Sequence, residues 1–233
     1  KGESLSRFGD RLHSAPPAET LAAMWRYVDE HPQDAYARSY AMGFLCHYAA
    51  DSVCHPFVQS QAEGMHRAEP SQSVDVCHNE LESALDLIIL RYERAALPSE
   101  LPLKRTVPHH PEAEHSIASL YASVLQTLFG AQIPEERLLE CLEDCRKIFS
   151  LLTDRTGLKK NLLRTLEKNK QRAISCHIRG MTEDGDIDYA NTLHEIWRWP
   201  PETGEERCES FFELYEGSIE RAAELIQEAP VCR

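Results

Sequence analysis

Five side chains that can bind metals recur four residues apart in two short segments of this sequence. The first segment, GFLCHYAADSVCHPF from Gly43 to Phe57, contains His47, Asp51 and His55, and the second, HNELE, contains His78 and Glu82. Residues four apart line up along one face of an α-helix. The spacing therefore predicts two helices, each of which presents imidazole and carboxylate groups in a row.

The rest of the chain also shows the apolar period of helices. Helices are expected over residues 18–30, 34–54, 75–97, 112–129, 134–152, 158–176 and 210–227, with Pro or Gly at several of their ends. Pro56 disfavours the α conformation at His55, so the helix that Asp34 can cap is expected to end or kink there. A polar connection is then expected up to Ser73, and residues 97–111 and 180–207 are expected to be long loops.

No segment alternates with the period of a β-strand. The fold class is therefore predicted to be all-α, with several helices in a single domain over residues 1–233. The chain begins at Lys1 with neither Met nor a hydrophobic signal region. We therefore expect that native residues upstream of Lys1 are missing.

The charge balance limits the partners of the protein. With 38 acidic and 25 basic residues the formal net charge is −13, and a nucleic-acid groove would need the opposite sign. The one basic stretch, Lys159 to Arg172, is interleaved with Leu. No apolar run approaches the roughly 20 residues that span a bilayer. Nucleic acid is therefore not expected as a partner, and no transmembrane segment is expected.

The eight cysteines are too sparse for a disulfide scaffold. We expect reduced thiols in a cytoplasmic protein, with secretion as the alternative. Cys141 and Cys145 lie four residues apart on an apolar helix, so they are expected to be small buried hydrophobic residues.

Zinc suits the donors in the two rows, because it binds His nitrogen and Asp or Glu oxygen in sets of about three. His55 lies about 12 Å along the helix from His47 at 1.5 Å per residue, which is too far to share one ion. Two ions are therefore expected, one held by His55, His78 and Glu82 and the other by His47 and Asp51. His13, which lies where the helical periodicity breaks, is the candidate for the third ligand of the second ion.

The sequence HYAADSVCHP followed by HNELE resembles the zinc-dependent phospholipase C family, from Gly43 to Asp86. In that family a His-Tyr-x-x-Asp helix leads to a further His and then to a His-x-x-x-Glu helix, and an earlier His completes one metal site. The resemblance implies an all-helical fold shared with zinc nucleases. It also implies zinc ligation by His13, His47 and Asp51 at one site and by His55, His78 and Glu82 at another.

Two features of the chain resemble a branch of uncharacterised bacterial relatives. These are the short spacing between Asp51 and His55 and the C-terminal stretch from residue 188 onward. The family takes ligands of a third zinc ion from the N-terminus and from an upstream Asp. Only Glu3 and Asp10 precede His13 as acidic residues. A third ion is therefore expected only if residues upstream of Lys1 supply its ligands.

The resemblance implies hydrolysis of a phospholipid or a small phosphodiester by a metal-activated water. The general base is not assigned. Glu80 and Asp86 are candidates, and their alternative roles are a solvated carboxylate and a supporting group. His194, Trp197 and Trp199 could contact lipid as a peripheral membrane surface, or the tryptophans could pack in a covering loop.

Two other functions remain open at the level of sequence. One is a metal-stabilised helical protein with little or no turnover, which the missing upstream ligands favour. The other is a zinc-dependent nuclease, against which the acidic charge argues.

Overall fold

The computed structural model of the protein describes residues 5–168, 170–182 and 185–229. The helices are α1 (Leu5–Ser14), α2 (Pro17–Glu30), α3 (Ala35–Ala68), α4 (Val74–Arg94), α5 (Pro111–Phe129), α6 (Glu135–Leu152), α7 (Leu158–Leu166) and α8 (Phe211–Glu228). Short 3₁₀ helices occupy Leu103–Arg105 and Ser175–His177. Strands β1 (Trp197–Arg198) and β2 (Glu206–Arg207) form one antiparallel pair, which the sequence did not predict. The predicted all-α fold class is confirmed.

The described residues fall into two compact units. Unit 1 takes them from the ranges Lys1–Ala49, Pro108–Cys145 and Ala222–Arg233, and unit 2 from Ala50–Val107 and Arg146–Arg221. Helix α3 contributes its first part to unit 1 and the remainder to unit 2. The expectation of a single domain over the whole chain stays a prediction.

The core of unit 1 is built where α2 packs against α5. Its fully enclosed side chains include Met24, Val28, Leu45, Leu120 and Val124. Pro17 stands at the start of α2, where its missing amide breaks no helical hydrogen bond. Gly130 ends α5 with φ 66°, the left-handed conformation that glycine adopts most easily. Both helix ends lie where the sequence predicted them.

Asp34 begins α3, as predicted. Its Oδ1 accepts a hydrogen bond of 2.9 Å from the amide of Ala37, and the hydroxyl of Ser116 donates to both carboxylate oxygens at 2.6 and 2.7 Å. Burial alone would raise the pKa of Asp34. The hydrogen bonds favour the charged form more strongly, so the pKa lies below its usual value.

Pro56 does not end α3, and the expected polar connection after it is helical up to Ala68. A proline inside a helix removes one amide donor and costs about 3 kcal/mol. The next two side chains, Phe57 and Val58, are only 0% and 4% exposed in the core of unit 2. Burial of side chains of this size is worth about 1.5–3 kcal/mol each, which offsets the cost. The predicted helix end was therefore wrong.

The core of unit 2 joins α3, α4 and α8 to the long loop after Gly180. It contains Phe57, Val58, Leu81, Leu85, Ala190, Trp197 and Leu214. Helix α4 begins at Ser73, whose hydroxyl accepts from the amide of Val76 at 3.3 Å. No helix in the described ranges is long and apolar enough to cross a membrane.

The cysteines of the described ranges are free thiols, while Cys232 lies outside those ranges. Cys141 is exposed and Cys145 is partly exposed. The expectation that both are buried was wrong, because α6 buries none of its residues completely.

Trp197 is a core residue and not a lipid contact. It is 4% exposed, its ring lies 5.4 Å from that of Phe57, and the guanidinium of Arg207 lies 4.5 Å above it. Its indole Nε1 donates to the carbonyl of Glu209 at 3.1 Å. The packing alternative is therefore correct for Trp197. His194, by contrast, is exposed and its Nδ1 lies 2.9 Å from the carbonyl oxygen of Cys208.

Candidate metal centre

The metal-binding residues of the two rows lie on regular helix, as the spacing predicted. His47, Asp51 and His55 lie on α3, and His78 and Glu82 lie on the first half of α4. Since α3 runs through Pro56 without ending, His55 has helical residues on both sides. Its position is therefore set by the helix and by the buried side chains that follow it.

His55, His78 and Glu82 come together in unit 2. The Nε2 atom of His78 lies 3.1 Å from Oε1 of Glu82, one helical turn further along α4. The ring of His55 meets that of His78 edge to face, with 5.0 Å between the centroids. His55 of α3 therefore lies against His78 of α4, and the assignment of the three residues to one ion stays a prediction.

These separations match the dimensions of a zinc site. Two donors bound to one tetrahedral zinc at about 2.0–2.1 Å stand roughly 3.3 Å apart, and the centres of two imidazoles on that ion stand about 5 Å apart. The corresponding distances here are 3.1 and 5.0 Å. Two imidazoles and one carboxylate form a donor set that zinc prefers, so each of the two pairs fits the ion in chemistry and in separation, while the three residues together do not form a complete site.

Gln59 orients the imidazole of His78. Its Oε1 lies 3.2 Å from Nδ1 of His78 and accepts a hydrogen bond from that nitrogen. Nε2 faces Glu82, and because a carboxylate only accepts, the hydrogen bond between them needs a proton on Nε2. Loss of that proton would free the Nε2 lone pair for a cation. An outer hydrogen bond of this kind fixes the tautomer of most metal-bound histidines. Gln59 follows His55 by four residues, so the same face of α3 carries both.

The charges of this cluster support one another. The hydrogen bond that His78 donates to Glu82 raises the pKa of His78 against the opposing effect of burial. The same bond lowers the pKa of Glu82, again against burial, and the charges of His78, His55 and His177 lower it further. The cluster therefore stabilises a carboxylate facing positive charge, which is the arrangement that a bound cation would also satisfy.

The three side chains meet in pairs but do not form a ready three-donor site. Across residues 5–168, 170–182 and 185–229, no group of three or more His, Cys, Asp or Glu residues has the geometry to hold an ion. The hydrogen bond between His78 and Glu82 occupies Nε2 and Oε1, the two atoms that a zinc ion would take. This bond would have to open before an ion could bind.

For the other expected set of zinc ligands, the structure shows which helices carry the three residues. His13 lies in the last turn of α1 and is exposed, while His47 is exposed and contacts the ring of Phe44 at 6.1 Å. Asp51 follows His47 by one turn of α3. Assignment of these three residues to one ion stays a prediction. Glu3, considered for a third ion, lies outside the described residues.

His177 is the residue near this centre that the sequence reasoning missed. It ends the 3₁₀ helix Ser175–His177, which packs on α4 and accepts a 2.7 Å hydrogen bond from Ser83 Oγ at the carbonyl of Cys176. One signal was present in the sequence. His177 completes a fourth Cys-His dipeptide, after those that contain His47, His55 and His78.

The two candidates for the general base are both held by arginines. Glu80 is 8% exposed and pairs with Arg164 at 3.2 Å and with Arg172 at 3.0 Å. Its expected role as a solvated carboxylate was wrong. Asp86 lies 2.6 Å from Nε of Arg179; burial raises its pKa, and Arg179 opposes that shift.

A family described as zinc dependent phospholipase C matches residues 5–141, more than half of the 233 residues. The chain belongs to the zinc-dependent phospholipase C family. The match contains all six proposed ligands, from His13 to Glu82, and it ends before α7 and the loop that carries His177.

Membership of the zinc-dependent phospholipase C family supports zinc dependence and a phospholipid substrate in general terms. Comparison with curated proteins and with solved structures found no match. The number of zinc ions and the choice of substrate are therefore inferred from the residues of the site.

Proposed function

We propose that this protein is a zinc-dependent phosphodiester hydrolase of the phospholipase C type. The observation that carries the proposal is the approach of both His55 and Glu82 to His78, within a segment that matches the family. The substrate is a phospholipid or a related small phosphodiester. His13, His47 and Asp51 are the proposed ligands of the other ion.

Each residue of the centre has a defined task in this proposal. His55 and His78 supply neutral imidazole nitrogens, and Glu82 supplies a carboxylate oxygen that reduces the net charge of the site. Gln59 holds the proton of His78 on Nδ1, so that Nε2 is the binding nitrogen. When bound, zinc would polarise the phosphate and lower the pKa of a bound water.

The ion pairs around α4 keep its other face rigid. Glu80, two residues after His78 and two before Glu82, points away from them and is fixed by Arg164 and Arg172. Ser83 ties α4 to the 3₁₀ helix that bears His177. The two candidate ligands of α4 therefore lie on a helix whose opposite face is anchored by these contacts.

The test is an assay of purified protein loaded with zinc. The substrates are a chromogenic choline phosphodiester, phosphatidylcholine in mixed micelles, and single-stranded DNA. The proposal expects hydrolysis of the two choline esters, little hydrolysis of DNA, and loss of activity in Glu82→Gln. A matched control, Glu220→Gln, changes an exposed carboxylate of α8 and should retain activity.

Two outcomes would contradict the proposal. Preferential hydrolysis of DNA would identify a nuclease. Zinc binding without turnover on any of the three substrates would identify a metal-stabilised helical protein.

A further inference from the structure

A row of exposed leucines runs along α7. Leu158, Leu162 and Leu166 are 70%, 61% and 64% exposed. They are spaced four residues apart and therefore share one face of the helix. Single exposed leucines are common on protein surfaces, but a contiguous apolar row marks a surface that contacts something else. We call these three residues the leucine row.

The opposite side of α7 is fixed to the protein. Lys160 donates from Nζ to the carbonyl of Ile178 at 2.5 Å, and Arg164 pairs with the buried Glu80 at 3.2 Å. Residues two positions apart on a helix point about 200° from each other. The contacts of Lys160 and Arg164 therefore turn the leucine row outward.

Neighbouring apolar residues extend the row. Leu151 and Ile148 at the end of α6 are 72% and 53% exposed, and Ile174 is 53% exposed. Lys159 joins the end of α6 to α7, because its Nζ donates to the carbonyls of Leu151 at 2.8 Å and Thr153 at 2.6 Å. Exposed apolar residues therefore continue on both sides of α7 in the chain, and together with the leucine row we call them the apolar patch.

The sequence in and beside α7 is basic in an otherwise acidic protein. Between positions 155 and 172 the chain has seven basic residues and one acidic residue, Glu167, whereas the whole protein carries a formal charge of −13. Arg155, Lys168 and Lys170 are exposed. A helix with an apolar face and a rim of Lys and Arg is typical of proteins that lie on anionic membranes.

The charge pattern favours a membrane over a second copy of the chain as the partner of this patch. A two-fold contact would place the same basic rim on both sides of the interface, and the like charges would repel. An anionic lipid surface complements the rim and offers an apolar layer to the leucines. The observations therefore favour the lipid surface.

We propose that the leucine row seats this protein on an anionic phospholipid surface. The leucines enter the boundary between head groups and acyl chains, and the basic residues lie at the level of the lipid phosphates. This inference goes beyond the proposed hydrolase activity and does not depend on it, because it concerns attachment and not bond cleavage.

The test measures binding of the full chain to vesicles by flotation. One set of vesicles contains phosphatidylcholine alone, and the other contains phosphatidylcholine mixed with phosphatidylglycerol. We expect binding to the mixed vesicles that weakens as salt is added. The double variant Leu158→Glu, Leu162→Glu should have an affinity for the mixed vesicles at least about tenfold lower, because two apolar side chains are replaced by carboxylates that the anionic lipids repel.

Two controls make the result specific. Ile219→Glu changes an equally exposed apolar residue on α8 and should bind as the original protein does. Circular dichroism should show that all variants are folded, and hydrolysis of the soluble choline ester should be unchanged by the two leucine substitutions. A failure of attachment is thereby distinguished from a failure of the hydrolase proposal.

Three results would overturn the inference. The first is no binding of the original protein to the mixed vesicles, and the second is undiminished binding of the double variant. The third is a stable dimer in sedimentation that the same two substitutions dissociate, which would assign the patch to a second copy.

Discussion

The Nη2 atom of Arg172 lies 3.0 Å from Oε2 of Glu80. This ion pair joins a loop residue to a residue in the first half of α4 that stands 92 positions earlier in the chain. Arg172 also binds Glu69 at 2.8 Å, and the second oxygen of Glu80 pairs with Arg164. Glu80 is 8% exposed, so the two arginines replace most of the water contacts of its carboxylate. The pairs hold the segment after α7 against the helix that bears His78 and Glu82.

Removal of the charge at Glu80 should destabilise the fold. Glu80→Gln leaves Arg164 without its partner and weakens the hold on Arg172, and loss of one member of a largely buried pair costs about 2–3 kcal/mol when the partners keep some contact with water. The free energy of unfolding in urea measures the effect. Glu220→Gln, an exposed change, should differ from the original by less than about 0.5 kcal/mol. Equal stability of the two variants would refute the buried network.

Pro56 should be a weak point of α3. Pro56→Ala restores an amide inside the helix and should raise the free energy of unfolding by about 1–2 kcal/mol, after allowance for the greater freedom of the unfolded chain. Pro17→Ala is the matched control, because Pro17 stands at the start of α2, where proline is tolerated. It should be neutral or slightly destabilising. A loss of stability in Pro56→Ala would mean that the helix requires proline at this position.

Asp34 should make unit 1 sensitive to acid. The pKa of Asp34 is lower in the folded protein than in the unfolded chain, so its contribution is present above the unfolded value of about 4 and is lost as pH falls through the folded value. At pH 7 Asp34→Asn should cost about 1 kcal/mol, and the difference should shrink toward pH 2–3. Urea unfolding across this pH range measures it. Asp29→Asn, an exposed change on α2, should show no such trend.

Cysteine reactivity should follow burial. Cys208 is exposed, whereas Cys176 is 1% exposed and burial raises its pKa to about 11. At pH 8 a thiol reagent should therefore modify Cys208 quickly and Cys176 only after denaturation. Counting of fast-reacting thiols checks this: Cys208→Ser should remove one and Cys176→Ser none. A fast thiol lost in Cys176→Ser would show that the 3₁₀ helix opens readily.

Local patterns in the sequence predicted most of the helices and placed the candidate ligands on them, although α1 was not predicted and α7 ends at Leu166 rather than at Cys176. Four-residue spacing and the capping residues Asp34 and Ser73 act within a few positions of the chain, so the sequence alone can reveal them. The same holds for Gly130, whose left-handed conformation ends α5. Such features need no knowledge of tertiary packing.

The errors came from contacts between distant residues. Pro56 was expected to end a helix, but burial of Phe57 and Val58 outweighs its cost. Glu80 was expected to be solvated, because its arginine partners lie 84 and 92 positions away. Trp197 could not be assigned to the core before Phe57 was known to face it. His177 lies near Glu82 because the 3₁₀ helix packs on α4. This contact joins residues that are far apart in the chain, so no spacing pattern predicts it.

The central claim is that His55, His78 and Glu82 hold one zinc ion. Native mass spectrometry of the zinc-loaded protein measures it most directly, because it counts bound ions without reference to activity. The double variant His55→Ala, His78→Ala should bind one zinc ion fewer than the original protein, while His115→Ala, an exposed histidine of α5, should bind the same number. An unchanged count in the double variant would contradict the claim.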